Sequence, residues 1–388
     1  MKKNKTKLRL DRINLKKKSK AIRKSNIRRH RKLFKSQTKK IEEFIYKLRR
    51  NRKFVLISLH NRYKYTSDPF HINVNKQFGV EKNEIIDEYL DLAEKCIDFD
   101  SSELNIHLAD CERIWPSAVT LLCSLQEWIE FGTKNNGLPV PKIRSLDSNH
   151  SSVNSYLTHC GFHDYVGRGS KPSSVKYDDN NVVHIRREKN KENLEEREDQ
   201  IVKLVTSHTK FTPNEIEEFY AIVLTEIFLN VQEHGVTCND QGWWILAQYH
   251  PQHKIISLNV ADNGIGFRLS LTTGPQQQEI ISEIDNLPEN DHKFILHAMK
   301  ENISGAYNAS SKNGILFKNY IRGARRGNGL ERIKETCNKL KIEFSILSHF
   351  GYVFFDKNGI LINSGSRMNR IFGGTLYHFN IPVERYTL

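Results

Sequence analysis

Two periodicities of apolar residues alternate along the chain, and the places where one gives way to the other mark its elements. After a charged N-terminal stretch, IEEFIYKL up to Leu48 predicts a short helix and Phe54 to Leu59 a strand. Glu84 to Cys96 carries apolar residues at helical spacing. A βαβα series follows. Leu104 to Leu108 reads as a strand, Pro116 to Phe131 as a helix with proline in its first turn, Val140 to Ile143 as a strand, and Ser151 to Cys160 as a helix. The stretch 166–197 is rich in Gly, Ser, Asn and charge, with one short strand at Val182 to Ile185, and reads as a linker. A charged helix, Asn193 to Val205, leads onward.

Beyond it, Thr212-Pro213 opens a helix to about Glu233, with Thr as N-cap and Pro at the first helical position. Its apolar residues wrap most of the circumference, which predicts burial. Ile255 to Ala261 is a buried-strand pattern, Asp291 to Lys300 a helix, and Gly329 opens another. Gly373 to Phe379 alternates as a strand. These elements predict an α+β protein in four parts. They are a basic tail with a short helix (1–53), a small α/β domain (54–168), a linker (169–200) and a C-terminal domain (201–388).

Composition changes this picture in one place. The first 53 residues hold 24 Lys and Arg against 3 acids, a net of +21, while the whole chain carries +15. The remaining residues therefore sum to −6. A tail this basic gathers anions, and nucleic acid is the partner expected, with an acidic protein or anionic lipid as alternatives. No apolar run approaches the ~20 residues of a membrane helix, and no apolar core follows the N-terminal charges. A cytoplasmic protein without membrane contact is the expectation. The 6 cysteines form no C-x-x-C pair and no zinc-like spacing, so free thiols are expected.

Candidate chemistry gathers in the C-terminal part. Glu226, Asn230 and His234 recur every four residues and form a polar stripe on a largely apolar helix. Such a stripe is costly to bury unless a metal ion, water or phosphate meets it. Asp262-Asn263-Gly264-Ile265-Gly266 closes the strand that precedes it. Read alone this is equally a hairpin turn. Gly327-Asn328-Gly329-Leu330 precedes a helix, where backbone N–H groups suit an anion, and Arg325 and Arg326 stand just before it. Gly373-Gly374-Thr375 opens the last strand.

Taken in order, E-x-x-x-N-x-x-x-H-G, D-x-G-x-G, G-x-G and G-T resemble the four motifs of the GHKL ATP-binding family, which includes Hsp90, DNA gyrase, MutL and sensor kinases. The His-Gly form of the first motif is closest to the anti-sigma-factor serine kinases. The resemblance implies a Bergerat-type α/β sandwich, a mixed sheet with helices on one face, that binds ATP and Mg²⁺. Glu226 would be the general base or water-orienting residue, and Asn230 the Mg²⁺ ligand. Asp262 would accept the adenine amino group with help from Thr375, Gly264 and Gly266 would shape the pocket, and Gly327, Gly329 and Leu330 would cradle the phosphates. The stretch between Gly266 and Gly327, including the 291–300 helix, would be a lid that closes on nucleotide.

The segments LNIHLADCERIWPSAVTLL and SSVNSYLTHCGFHDYVG resemble a STAS domain, which would make 54–168 STAS-like. The acidic residue expected before a phosphorylated serine is missing, since Trp115-Pro116 precede Ser117. The implied function is an Mg²⁺-dependent ATPase acting as a regulatory switch, near nucleic acid through its tail. A serine/threonine kinase of the anti-sigma type is the alternative, and a non-hydrolysing ATP-binding module is another. A sensor histidine kinase is a further one, with His208 the nearest acceptor. Protein partners are expected at the STAS-like part or the lid, and homodimerisation fits the family.

Overall fold

Parallel strands need a crossover between them, and the N-terminal series supplies one. β1 (Phe70–Asn73), β2 (Gln77–Phe78), β3 (Glu103–His107) and β4 (Arg113–Ile114) come first. α1 (Pro116–Asn135) then carries the chain to β5 (Lys142–Leu146), and α2 (Ser151–His159) and α3 (Phe162–Tyr165) follow. The order β1-β3-β5 is parallel at both pairs, as α1 between β3 and β5 requires. β2 and β4 form a separate parallel pair. The computed structural model describes residues 70–73, 77–78, 103–135, 142–166, 178–188, 194–232, 242–272, 277–284, 290–300, 329–349, 351–366 and 372–384. All lie in one compact unit, Ser67–Leu388. The basic tail and the elements expected at 41–48, 54–59 and 84–96 lie outside the described residues.

The stretch read as a linker contributes β6 (Val182–Glu188), and α4 (Leu194–His208) follows. α5 (Pro213–Glu218) begins at a capping box: the Glu215 N–H donates to Thr212 Oγ1 (3.3 Å), and the Thr212 N–H donates to the Glu215 carboxylate (2.6 Å). The helix then widens into a π-helical turn, Phe219–Leu224, before continuing as α6 (Thr225–Asn230). Thr225 Oγ1 donates to the Tyr220 carbonyl at 3.0 Å, five residues back, which fits the wider turn. A π-turn adds a residue and rotates everything after it, so it sets the direction in which Glu226 and Asn230 point.

β7 (Trp243–His250) and β8 (Ile255–Asp262) form a hairpin. Three helices follow, α7 (Gly266–Thr272), α8 (Gln277–Glu283) and α9 (Asp291–His297), and then α10 (Gly329–Leu340). β9 (Glu343–His349), β10 (Gly351–Phe355), β11 (Leu361–Ser366) and β12 (Phe372–Pro382) complete a seven-stranded sheet in the order β11-β10-β9-β12-β8-β7-β6. Every pair in it is antiparallel, not mixed as the family resemblance implied. Three of the six neighbouring pairs, β7–β8, β9–β10 and β10–β11, are joined by short hairpins, and such connections permit only antiparallel pairing.

Helices cover both faces of this sheet, where one covered face was expected. Alternate residues explain it. Trp243, Ile245, Leu258, Val260, Tyr377 and Phe379 enter one core with Val223, Ile227, Phe228, Leu330 and Ile333 from the 213–230 helix and α10. Their sequence neighbours Trp244, Leu246, Ala261 and Leu376 enter a second core with Val119, Leu122, Leu157 and Phe162 of the N-terminal layer. A strand such as WWILAQYH has apolar residues on both sides and requires a partner for each. The helix placed in a lid is also core. Phe294 and Ile295 of α9 are fully buried, and Asp291 forms a buried ion pair with Arg268 of α7 at 2.9 Å.

The second face carries polar residues as well. His378 Nδ1–H donates to Asn259 Oδ1 (2.8 Å), and the Asn259 amide donates to Ser257 Oγ (3.0 Å). Burial pushes the His378 and His250 imidazoles down from 6.5 to about 4. A depressed folded value means stability that is present above pH 6.5 and lost as pH falls towards 4, about 3 kcal/mol for each group. His378→Gln is therefore expected to flatten the acid limb of urea-unfolding stability between these values. An unaltered slope would show that His378 is not a buried neutral imidazole.

Candidate functional site

The side chains singled out in the sequence come from four elements that meet on the first core face of the sheet. Thr375 on β12 stands directly opposite Asp262 on β8, which in turn stands opposite Trp243 on β7. Asp262 is 3% exposed. Its carboxylate accepts the Gly264 N–H at 2.7 Å and the Thr375 backbone N–H. Burial raises its pKa from 3.8 to about 7, and these two backbone bonds oppose the rise. The result is a carboxyl poised near neutrality at a strand end.

Close backbone approach explains the glycines. A Cβ on Gly374 would lie 1.8 Å from the Asp262 carbonyl oxygen, so only glycine passes there. Gly266 has φ +65°, and a Cβ on it would meet Ser348 Oγ at 2.6 Å. Ser348 ties the loop to the last strand: its hydroxyl accepts the Phe267 N–H (3.1 Å) and donates to the Gly374 carbonyl (3.1 Å), with Thr375 Oγ1 at 3.5 Å. Gly374→Ala is expected to cost roughly 1–3 kcal/mol by overpacking, read as a lower urea midpoint. A variant as stable as wild type would contradict this approach.

Glu226 lies at the mouth of α10. A Cβ on Gly329, the first residue of α10, would meet Glu226 Oε2 at 2.6 Å. Arg332, one turn into α10, pairs with Glu226 Oε1 at 3.0 Å. Both side chains remain partly open, 17% for Glu226 and 28% for Arg332. Asn230, a turn beyond Glu226, has its side-chain amide nitrogen buried beside the Tyr377 hydroxyl. Tyr377 sits two residues from Thr375 and feels the Asp262 charge, so it links the two halves of the site. Leu330 is buried in the core and anchors the start of α10.

Glu226, Asn230, Asp262, Gly264, Gly266, Gly329, Leu330 and Thr375 are thus placed on one side of the sheet. Gly327, His234, Arg325 and Arg326 lie outside the described residues. Ser348, Arg332 and Tyr377 were missed. A serine ending an apolar strand and an arginine one turn into a helix carry no local signal. The four described cysteines are buried free thiols. Among the described residues no cluster of three or more His, Cys, Asp or Glu could hold a metal ion, and no helix is long and apolar enough to cross a membrane. Comparison with protein-family models, curated proteins and solved structures finds no match for this chain.

Proposed function

We propose that this chain is an Mg²⁺-dependent ATPase of the GHKL type, with a Bergerat-type sandwich whose second face is covered by a STAS-like layer. The observation that carries the reading is convergence. Asp262 and Thr375, 113 positions apart, are direct cross-strand partners, while Glu226 and Gly329, 103 apart, are in contact on the same face. Chance motifs in a chain have no reason to meet in this way.

In this reading Asp262 accepts the adenine amino group, and Thr375 and the Gly264–Gly266 turn close around the base. The backbone N–H groups at Gly327 and Gly329 hold phosphates at the start of α10, with Leu330 anchoring that turn. Glu226 orients the attacking water, and Asn230 supplies an amide oxygen to Mg²⁺. A hard cation with one protein ligand takes its remaining positions from phosphates and water, and it neutralises charge on the phosphates when bound.

Hydrolysis is favoured over phosphotransfer within the chain. Ser117 is fully buried. His208 stacks on Tyr249 at 4.1 Å between ring centroids, and its Nε2 is buried. Neither is presented to a phosphate. Incubation with γ-labelled ATP and Mg²⁺, with Glu226→Ala alongside, tests the reading. Free phosphate that depends on Glu226 is expected. Label on a protein would favour the kinase alternative, and bound nucleotide with neither product would leave a non-hydrolysing module.

The +21 charge of residues 1–53 supports a second element, nucleic-acid binding through the tail. Affinity is expected to fall steeply with salt and to be lost on removal of residues 1–53. Unchanged affinity after truncation would remove this element.

A further inference from the structure

Glu127, on α1 of the N-terminal layer, lies outside every motif discussed above, yet it reaches the strand ends that carry the Asp262 site. Its carboxylate accepts the Gly242 N–H with both oxygens, at 3.1 and 3.2 Å. Gly242 immediately precedes Trp243, the residue opposite Asp262 on β7. Glu127 Oε2 also accepts the Asn263 amide at 3.4 Å, and that same amide nitrogen donates to the Ser124 carbonyl of α1 at 2.9 Å. Arg187 on β6 pairs with the other side of the carboxylate. The fit around it is tight, since a Cβ on Gly242 would lie 2.5 Å from Arg187 Nε.

One carboxylate, 11% exposed, therefore joins three strands and a helix at the corner where β8 turns into Asp262-Asn263-Gly264. The direction of Asn263 makes the connection possible. Asp262 points to the first core face, so Asn263 points through to the opposite face, against α1. Charge-assisted bonds of this kind are stronger than neutral ones and hold geometry well.

We propose that Glu127 is a positioning residue for the base-reading end of the site: through Asn263 and Gly242 it holds the Asp262 turn, so that the N-terminal layer sets selectivity for adenine. The inference rests on the ATP reading above. It makes the layer part of the nucleotide site, and any partner that shifts α1 would change ATP affinity from the far side of the sheet.

The test compares ATP with GTP on the full chain, by calorimetry with Mg²⁺, for wild type, Glu127→Ala and Glu127→Gln. Wild type is expected to prefer ATP. Glu127→Ala is expected to lose about tenfold of that preference by weakening ATP alone. Glu127→Gln, which keeps an acceptor oxygen, is expected to retain most of it. A purely structural role would weaken both nucleotides together, and an unchanged preference in folded Glu127→Ala overturns the inference. Should Glu127→Ala not fold, Asn263→Ala carries the same expectation and the same overturning result. Wild type that binds neither nucleotide overturns the ATP reading itself, and this inference with it.

Discussion

Glu226→Gln is expected to cut ATP turnover by roughly 10²–10⁴-fold while leaving ATP binding intact. The surroundings of the carboxylate give the reason. Glu226 is pressed between the Gly329 backbone and the Arg332 guanidinium, so its position is determined from two sides. Glutamine has the same shape and still offers an oxygen to Arg332, so the packing at the start of α10 should survive. What it removes is the negative charge that, in the proposed reaction, would draw a proton from water. Alanine is the poorer test, because it would leave Arg332 without this partner and open a gap beside Gly329. Single-turnover phosphate release separates the effects from binding. Turnover equal to wild type would remove Glu226 from the reaction.

The second large effect is a pH dependence centred on Asp262. A folded-state pKa raised from 3.8 to about 7 means that the folded chain holds a proton which the unfolded chain has released. Between these values the folded state binds more protons, so stability from this group falls as pH rises. The loss is complete above about 7 and corresponds to roughly 4 kcal/mol. The sign is opposite to that of His250 and His378, whose contribution grows with pH up to 6.5. Subtracting the Asp262→Asn stability curve from that of wild type isolates it, and a flat difference would refute it.

The same proton bears on ligand binding. An adenine amino group donates, and the ionised carboxylate accepts it more strongly than the neutral acid, so ATP should displace a proton from Asp262. Near pH 6 binding is expected to release about one proton and near pH 8 almost none. Calorimetry in buffers of different ionisation enthalpy reads this directly. Binding heats independent of buffer at pH 6 would mean that Asp262 does not meet the base.

Much of this was legible in the chain itself, for reasons that can be named. The Thr212-Pro213 start appears as a capping box because N-cap chemistry is local. The strands and helices at 103–107, 116–135, 151–159, 255–262 and 372–382 follow from apolar spacing that a neighbouring surface must satisfy. β9, β10 and β11 were not read, since short strands such as GYVFF and LINSGS have little pattern of their own. The burial of α9 was not legible, because its surroundings are rich in Gly, Ser and Asn. Its Phe294 and Ile295 are buried against partners distant in sequence.

Sequence by itself determined the polar residues at Glu226, Asn230, Asp262 and Thr375 and the α+β character of the chain. Spacing along a helix or strand is a local property, and it survives without knowledge of neighbours. Only the tertiary structure decided that the sheet is antiparallel with both faces covered. The same holds for the contact of Arg332 with Glu226, the bond of Ser348 to Gly374, and the reach of Glu127 across to Asn263. Those facts depend on pairs separated by 26 to 136 positions, and nothing local encodes which distant surface will fill an apolar strand's second face.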